Sequence, residues 1–167
     1  MKIDDVTYLI NDLNDINIDF WITGGWGVDA LLGKQTRPHD DIDIFVDKKS
    51  YQQMLEYFKS RGYKKKIEEF TTDDHTIWVD DHGRTIDLHL YELIDAERLI
   101  FENELYPVSL FDGKGKIGNF VVKCLTSEAQ ILYHQGYELK EKDIKDVLLL
   151  CEFFRLEVPE ACSSFID

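Results

Sequence analysis

The segment His39-Asp40-Asp41-Ile42-Asp43-Ile44-Phe45-Val46 sets two carboxylates one residue apart in an apolar run. On a β-strand, side chains alternate between faces. Asp41 and Asp43 then project from one face, with Ile42, Ile44 and Val46 on the other. Their Cα atoms lie about 6.6–6.8 Å apart, close enough for the carboxylates to converge above the sheet. Two like charges about 4 Å apart repel by roughly 4 kcal/mol at an effective dielectric of 20. Either one carboxylate takes a proton or a cation sits between them. Oxygen ligands on a rigid strand suit Mg²⁺, which shares its shell with water and substrate phosphates. A lone Asp-x-Asp reads more readily as a solvated strand edge with two chance acids.

A third carboxylate changes the balance. In Arg84-Thr85-Ile86-Asp87-Leu88-His89-Leu90 the parity repeats, with Thr85, Asp87 and His89 on one face and Ile86, Leu88 and Leu90 on the other. Asp87 could complete a metal-holding cluster and take the proton from an attacking hydroxyl. Upstream, Thr23-Gly24-Gly25-Trp26-Gly27-Val28-Asp29 follows a strand and opens a helix. Glycines there let the backbone approach a ligand closely, and the free N–H groups of a helix start bind phosphate oxygens. Arg37 and His39 stand just before the Asp pair and could contact phosphates.

Periodicity supplies the elements that must hold these groups. Val6, Leu9, Ile10, Leu13 and Ile16 have helical spacing, and a strand follows at residues 20–23. Residues 26–32 read as a short helix stopped by Gly33, and residues 41–46 as a strand. Ser50 is a candidate N-cap for a helix to about Arg61, with Gly62 as its stop. Residues 64–70 read as a strand, and 76–79 with 84–90 as a hairpin through Asp80-Asp81-His82-Gly83. Strands near 106–111 and 119–124 are expected to flank a Gly-rich turn at 112–118. Ser127 with Gln130 fits a capping box for a helix ending near Gly136-Tyr137. A last helix is expected over about 141–155, with Ile144, Val147, Leu148 and Cys151 on one face. These elements make an α/β (α+β) chain: a body over residues 1–112, then a hairpin and two helices over 113–167.

Composition narrows the partners. The 167 residues carry a formal net charge of −14 and no basic stripe, against a nucleic-acid backbone as partner. Such acidity reads first as solubility, and also as an attraction for metal ions and cationic small molecules. No apolar run spans a bilayer, and the acidic start lacks a signal peptide's apolar centre, so a cytoplasmic protein is expected. Three cysteines without regular spacing form neither a disulfide framework nor a thiolate zinc site. Gly113-Lys114-Gly115-Lys116-Ile117-Gly118 matches the dinucleotide fingerprint but precedes a strand, so a hairpin turn is the better reading. Asp73-Asp74-His75 and Asp80-Asp81-His82 read as turn residues ahead of metal sites.

Taken together, strand, Gly-Gly, short helix, Asp-x-Asp and a distant Asp resemble the nucleotidyltransferase superfamily that includes DNA polymerase β. Residues 21–29 and 36–43 look like the antibiotic nucleotidyltransferases, both the lincosamide and the 2″-type aminoglycoside enzymes. Ile86-Asp87-Leu88-His89, the stretch 127–137 and the total length lean towards the lincosamide group. The resemblance covers nearly the whole chain. It implies a mixed sheet flanked by helices, with a small C-terminal helical part. It implies Asp41 and Asp43 as Mg²⁺ ligands, with Asp87 as general base and further ligand. Gly24, Gly25, Arg37 and His39 would line the triphosphate of an NTP, and Lys142, in a lysine-and-acid pattern, would touch phosphate. The implied reaction moves NMP from the NTP to a hydroxyl of a small acceptor, with two Mg²⁺ ions. A lincosamide is the first acceptor expected and an aminoglycoside the second. A protein-directed or antitoxin-type module is the rival from another class. A homodimer is expected from chain size alone.

Overall fold

The computed structural model describes residues 1–134, 139–163 and 165. Its elements are α1 (Ile3–Asp15), β1 (Phe20–Thr23), α2 (Gly24–Leu32), β2 (Asp41–Asp47), α3 (Tyr51–Arg61), β3 (Lys64–Lys66), β4 (His75–Val79), β5 (Thr85–Leu93), β6 (Arg98–Phe101), β7 (Glu104–Pro107), β8 (Gly113–Ile117), β9 (Phe120–Cys124), α4 (Ser127–His134), α5 (Glu141–Phe154) and α6 (Glu160–Ser163). One mixed sheet runs β3-β4-β5-β2-β1-β9-β8, and β6 and β7 branch from β5. The parallel pair β2–β5 lies at its centre, with Asp43 in register with Asp87. β1 pairs antiparallel with β2 and sets Thr23 opposite Asp43.

The apolar face of the central strands explains this arrangement. Ile42, Ile44, Ile86 and Leu88 are fully buried and pack with Val6, Leu9 and Leu13 of α1 and Phe58 of α3. Burying four such side chains contributes on the order of 6–12 kcal/mol, which fixes strand parity and turns Asp41, Asp43 and Asp87 to the opposite face. A second cluster joins Val28 of α2, Ile131 of α4, and Val147, Leu150 and Cys151 of α5. A third gathers Phe45, Leu99, Phe101, Phe111 and Leu125. Among the described residues, no helix is long and apolar enough to cross a membrane. The three cysteines are free and buried.

Several local expectations need correcting. Ser50 is not a side-chain cap: a 3₁₀ turn at Lys48–Ser50 leads into α3, and the Asp47 carboxylate accepts from the Lys49 amide instead. The strand expected at 64–70 ends at Lys66, and that at 106–111 gives way after Pro107 to a 3₁₀ turn. The Gly-rich stretch is strand β8, not a turn, and pairs residue by residue with β9. Gly115 permits this, because a Cβ there would meet the Ala30 backbone at 2.4 Å. Ser127 and Gln130 form no capping box. Thr126 Oγ1 accepts from the Ala129 amide, and the Gln130 side chain accepts from Thr23 Oγ1 at 3.1 Å. The expected end of that helix, Gly136-Tyr137, lies outside the described residues.

Candidate active site

A cleft of about 350 Å³ opens above the carboxylate face of the sheet. That is ample for a small ligand. Its wall includes Thr23, Gly24, Gly25, Arg37, His39, Asp41, Asp43, His75, His89, Gln130 and Lys142. Seven of the eight sequence-chosen residues, Gly24, Gly25, Arg37, His39, Asp41, Asp43 and Lys142, therefore meet in one cavity. Asp87 is the exception. It belongs to the cluster but lies outside the cavity wall, with the imidazoles of His75 and His89 beside it.

Electrostatics confirm that the three carboxylates feel one another. The Asp41 carboxyl is pushed up to about 6 by burial first, then by the negative fields of Asp43 and Asp87. Lys142 acts in the opposite direction, so its ammonium faces this cluster from the start of α5. His89 Nε2 stands 3.8 Å from Asp43 Oδ1 and 3.9 Å from Asp87 Oδ1, bridging the two strands. His75 Nε2 hydrogen-bonds Asp87 Oδ1 at 2.7 Å. Burial opposes a charge on His75, but this bond and the field of Asp87 outweigh it and raise the imidazole's pKa. His75, Asp87 and His89 group three atoms of metal-ligating type within 4.8 Å.

The glycine turn is shaped by its neighbours. A Cβ on Gly24 would lie 2.1 Å from Asp43 Oδ2, and one on Gly25 2.4 Å from His39 Nδ1 and 2.6 Å from Arg37 Nη2. Only glycine lets the start of α2 approach both the carboxylate and the cationic loop. That loop is anchored from below. Buried Asp29 bonds His39 Nε2 and accepts from the Thr36 amide and hydroxyl. Arg37 pairs with Asp146 of α5 through Nη2 at 2.6 Å and Nε at 3.1 Å. Arg37 and His39 thus reach the cleft already bonded to protein carboxylates. Gln130 is wholly buried on the same wall, and its Nε2 donor has no hydrogen-bond partner among the described residues.

The donor set fits a divalent cation: hard carboxylate oxygens on adjacent rigid strands, with the Asp41 proton affinity raised by burial and then by the neighbouring carboxylates.

Sequence reasoning missed His75, Asp29, Asp146 and the cleft role of Gln130. The Asp73-Asp74-His75 motif suggests a turn, but His75 is the first residue of β4 and stands directly opposite His89. Counting the hairpin register outward from Asp80-Asp81-His82-Gly83 reveals it. The turn reading holds for Asp80, whose carboxylate accepts from the amides of His82 and Arg84.

Comparison with known proteins decides the family. A family model described as Aminoglycoside-2''-adenylyltransferase matches residues 5–150. The chain belongs to that family. It is therefore a nucleotidyltransferase, in a family of antibiotic adenylyltransferases. A lincosamide resistance protein of Staphylococcus haemolyticus is 29% identical over 152 residues, covering 84% of this chain and 88% of that protein. A 2''-aminoglycoside nucleotidyltransferase of Escherichia coli is 61% identical over 28 residues, 17% of this chain and 16% of that protein. Among solved structures, the lincomycin-bound lincosamide antibiotic adenylyltransferase LnuA aligns with a TM-score of 0.76 at 28% identity, covering 88% of this chain and 94% of that one. ANT(2")-Ia in complex with adenylyl-2"-tobramycin shares the fold, with a TM-score of 0.76 at 22% identity, covering 98% of this chain and 95% of that one.

Proposed function

We propose that this enzyme transfers NMP from an NTP to a hydroxyl of a lincosamide-type antibiotic and releases pyrophosphate. The observation that carries this reading is the placing of Asp41 and Asp43 in the cleft wall beside the Gly24-Gly25 helix start, with Asp87 in register with Asp43 on the neighbouring strand and in the same electrostatic field. Asp41 and Asp43 would hold Mg²⁺, with Asp87 as a further ligand, and the ion would supply positive charge against the triphosphate. Gly24 and Gly25 bring backbone N–H groups to the phosphates. Arg37 and Lys142 add positive charge on the same wall, and His39 keeps its place through Asp29. Asp87 accepts the proton from the acceptor hydroxyl as its oxygen attacks the α-phosphorus. The bond from the α-phosphorus to the bridging oxygen breaks in line, so no covalent enzyme intermediate is needed.

The segment 113–167 completes the cleft through Gln130, Tyr133, Lys142 and Asp143, and residues 1–112 carry Asp41, Asp43 and Asp87. Two Mg²⁺ ions and a homodimer remain part of this reading, and the cytoplasm, where NTPs are made, is its setting. The lincosamide acceptor rests on the similarity that spans most of the chain. An aminoglycoside is the second reading, favoured by the family match and by the net charge of −14, which welcomes a polycation. Incubating the protein with Mg²⁺, each of the four NTPs and either drug separates them. Mass spectrometry should show a lincosamide gaining one NMP. An aminoglycoside product alone would move the acceptor to the second reading, and no product from either drug would remove both.

A further inference from the structure

We infer that His75 is a positioning residue for the Asp87 carboxylate, an inference that rests on the transfer reaction proposed above. Asp87 faces a difficulty created by its neighbours. Asp43 stands in register beside it on β2, and Asp41 shares the same field. Left alone, its carboxylate lowers its energy by turning away from them. The His75 imidazole prevents that turn. Its Nε2–H donates to Asp87 Oδ1 at 2.7 Å, occupying one oxygen and leaving Oδ2 for chemistry.

The imidazole is itself held on several sides. His75 opens β4 directly opposite His89, so its ring rests on the His89 ring at a centroid distance of 4.4 Å. Phe70 lies 5.2 Å away. The His75 backbone amide donates to Thr72 Oγ1 at 2.9 Å. A donor fixed by strand pairing, ring packing and a turn is a rigid support, whereas the carboxylate it holds has two free torsions. His75 therefore acts through Asp87.

The test compares His75→Leu, His75→Gln, Asp87→Asn and the double variant His75→Leu/Asp87→Asn with the native enzyme. Gln carries its amide nitrogen where the imidazole carries Nε2. His75→Leu should lose about 10–100-fold in kcat, the usual scale for removing such a support, with the KM for NTP changed less than about twofold. His75→Gln should recover most of that loss. In the Asp87→Asn background, His75→Leu should cost almost nothing more, because the two act as one unit. Native kcat in His75→Leu, no recovery in His75→Gln, or fully additive losses would each overturn the inference. A second readout needs no turnover. The ¹⁵N-edited imidazole spectrum should show His75 protonated at Nε2, and its Nε2–H signal should shift in Asp87→Asn. If the native protein transfers no NMP, the proposed reaction fails while this spectrum still decides the positioning, and an unmoved signal overturns it.

Discussion

The α-carbon of Gly24 lies against the carboxylate of Asp43, so closely that a methyl group there would sit 2.1 Å from Oδ2. Gly24 also has φ +59°, in the left-handed region. Gly24→Ala therefore meets a steric clash and backbone strain at one point. Activity should fall at least about tenfold and stability by about 1–2 kcal/mol. Urea unfolding and steady-state kinetics measure both, and a fully active Ala variant would show that the turn does not shape the carboxylate.

Asp41→Asn and Asp43→Asn should each lower transfer by 10²–10³-fold or more, the scale for removing one element of electrostatic stabilisation from such a site. Isothermal titration should show weakened Mg–NTP binding in both. Near-native turnover in either variant would mean that the cation is held elsewhere. Excess EDTA should stop the native reaction.

The folded pKa of Asp41, about 6, stands above its ordinary 3.8. The folded chain thus binds this proton more tightly than the unfolded chain. The contribution to stability is full at acid pH and is lost as pH rises from about 4 to 6, amounting to about 2–3 kcal/mol. At pH 7.5, Asp41→Asn should raise Tm by roughly 4–8 °C. Mg²⁺ should raise the Tm of the native protein at pH 7.5 and leave it nearly unchanged at pH 4.5, where Asp41 is protonated. A Mg²⁺ effect independent of pH would contradict the assignment.

Asp146 is wholly buried and pairs with Arg37 across 109 residues of sequence. Removing one partner of a buried pair leaves a charge without compensation and costs about 3–5 kcal/mol. Asp146→Ala should show that loss in chemical denaturation and should raise the KM for NTP, since Arg37 loses its anchor. The double variant Arg37→Met/Asp146→Leu should regain much of the stability but not the KM. Equal stability of Asp146→Ala and the native protein would remove the pair from the account.

Much of this site is legible in the chain because it follows from local periodicity. The period of two in Asp41–Val46 and in Thr85–Leu90 puts the carboxylates on one face before any tertiary contact is known. Gly33 and Gly62 end their helices in the left-handed conformation, as a residue without a Cβ allows. Periodicity failed where the partner of a group lies elsewhere. The Gln130 amide reads as a cap until the fold brings Thr23 to it, and the Gly113–Gly118 stretch reads as a turn until Ala30 packs upon it.

The sequence by itself therefore determined most of the element types, the common face of the three aspartates, the glycine turn and the enzyme family. Only the tertiary structure decided that β2 and β5 pair in parallel with Asp43 beside Asp87, that His75 reaches Asp87, and that Arg37 and His39 are tied to Asp146 and Asp29. Alternation within a strand is set by bonds between adjacent residues, whereas register between strands is set by which apolar faces can be buried together. That second choice belongs to the whole core, and no short stretch of residues contains it.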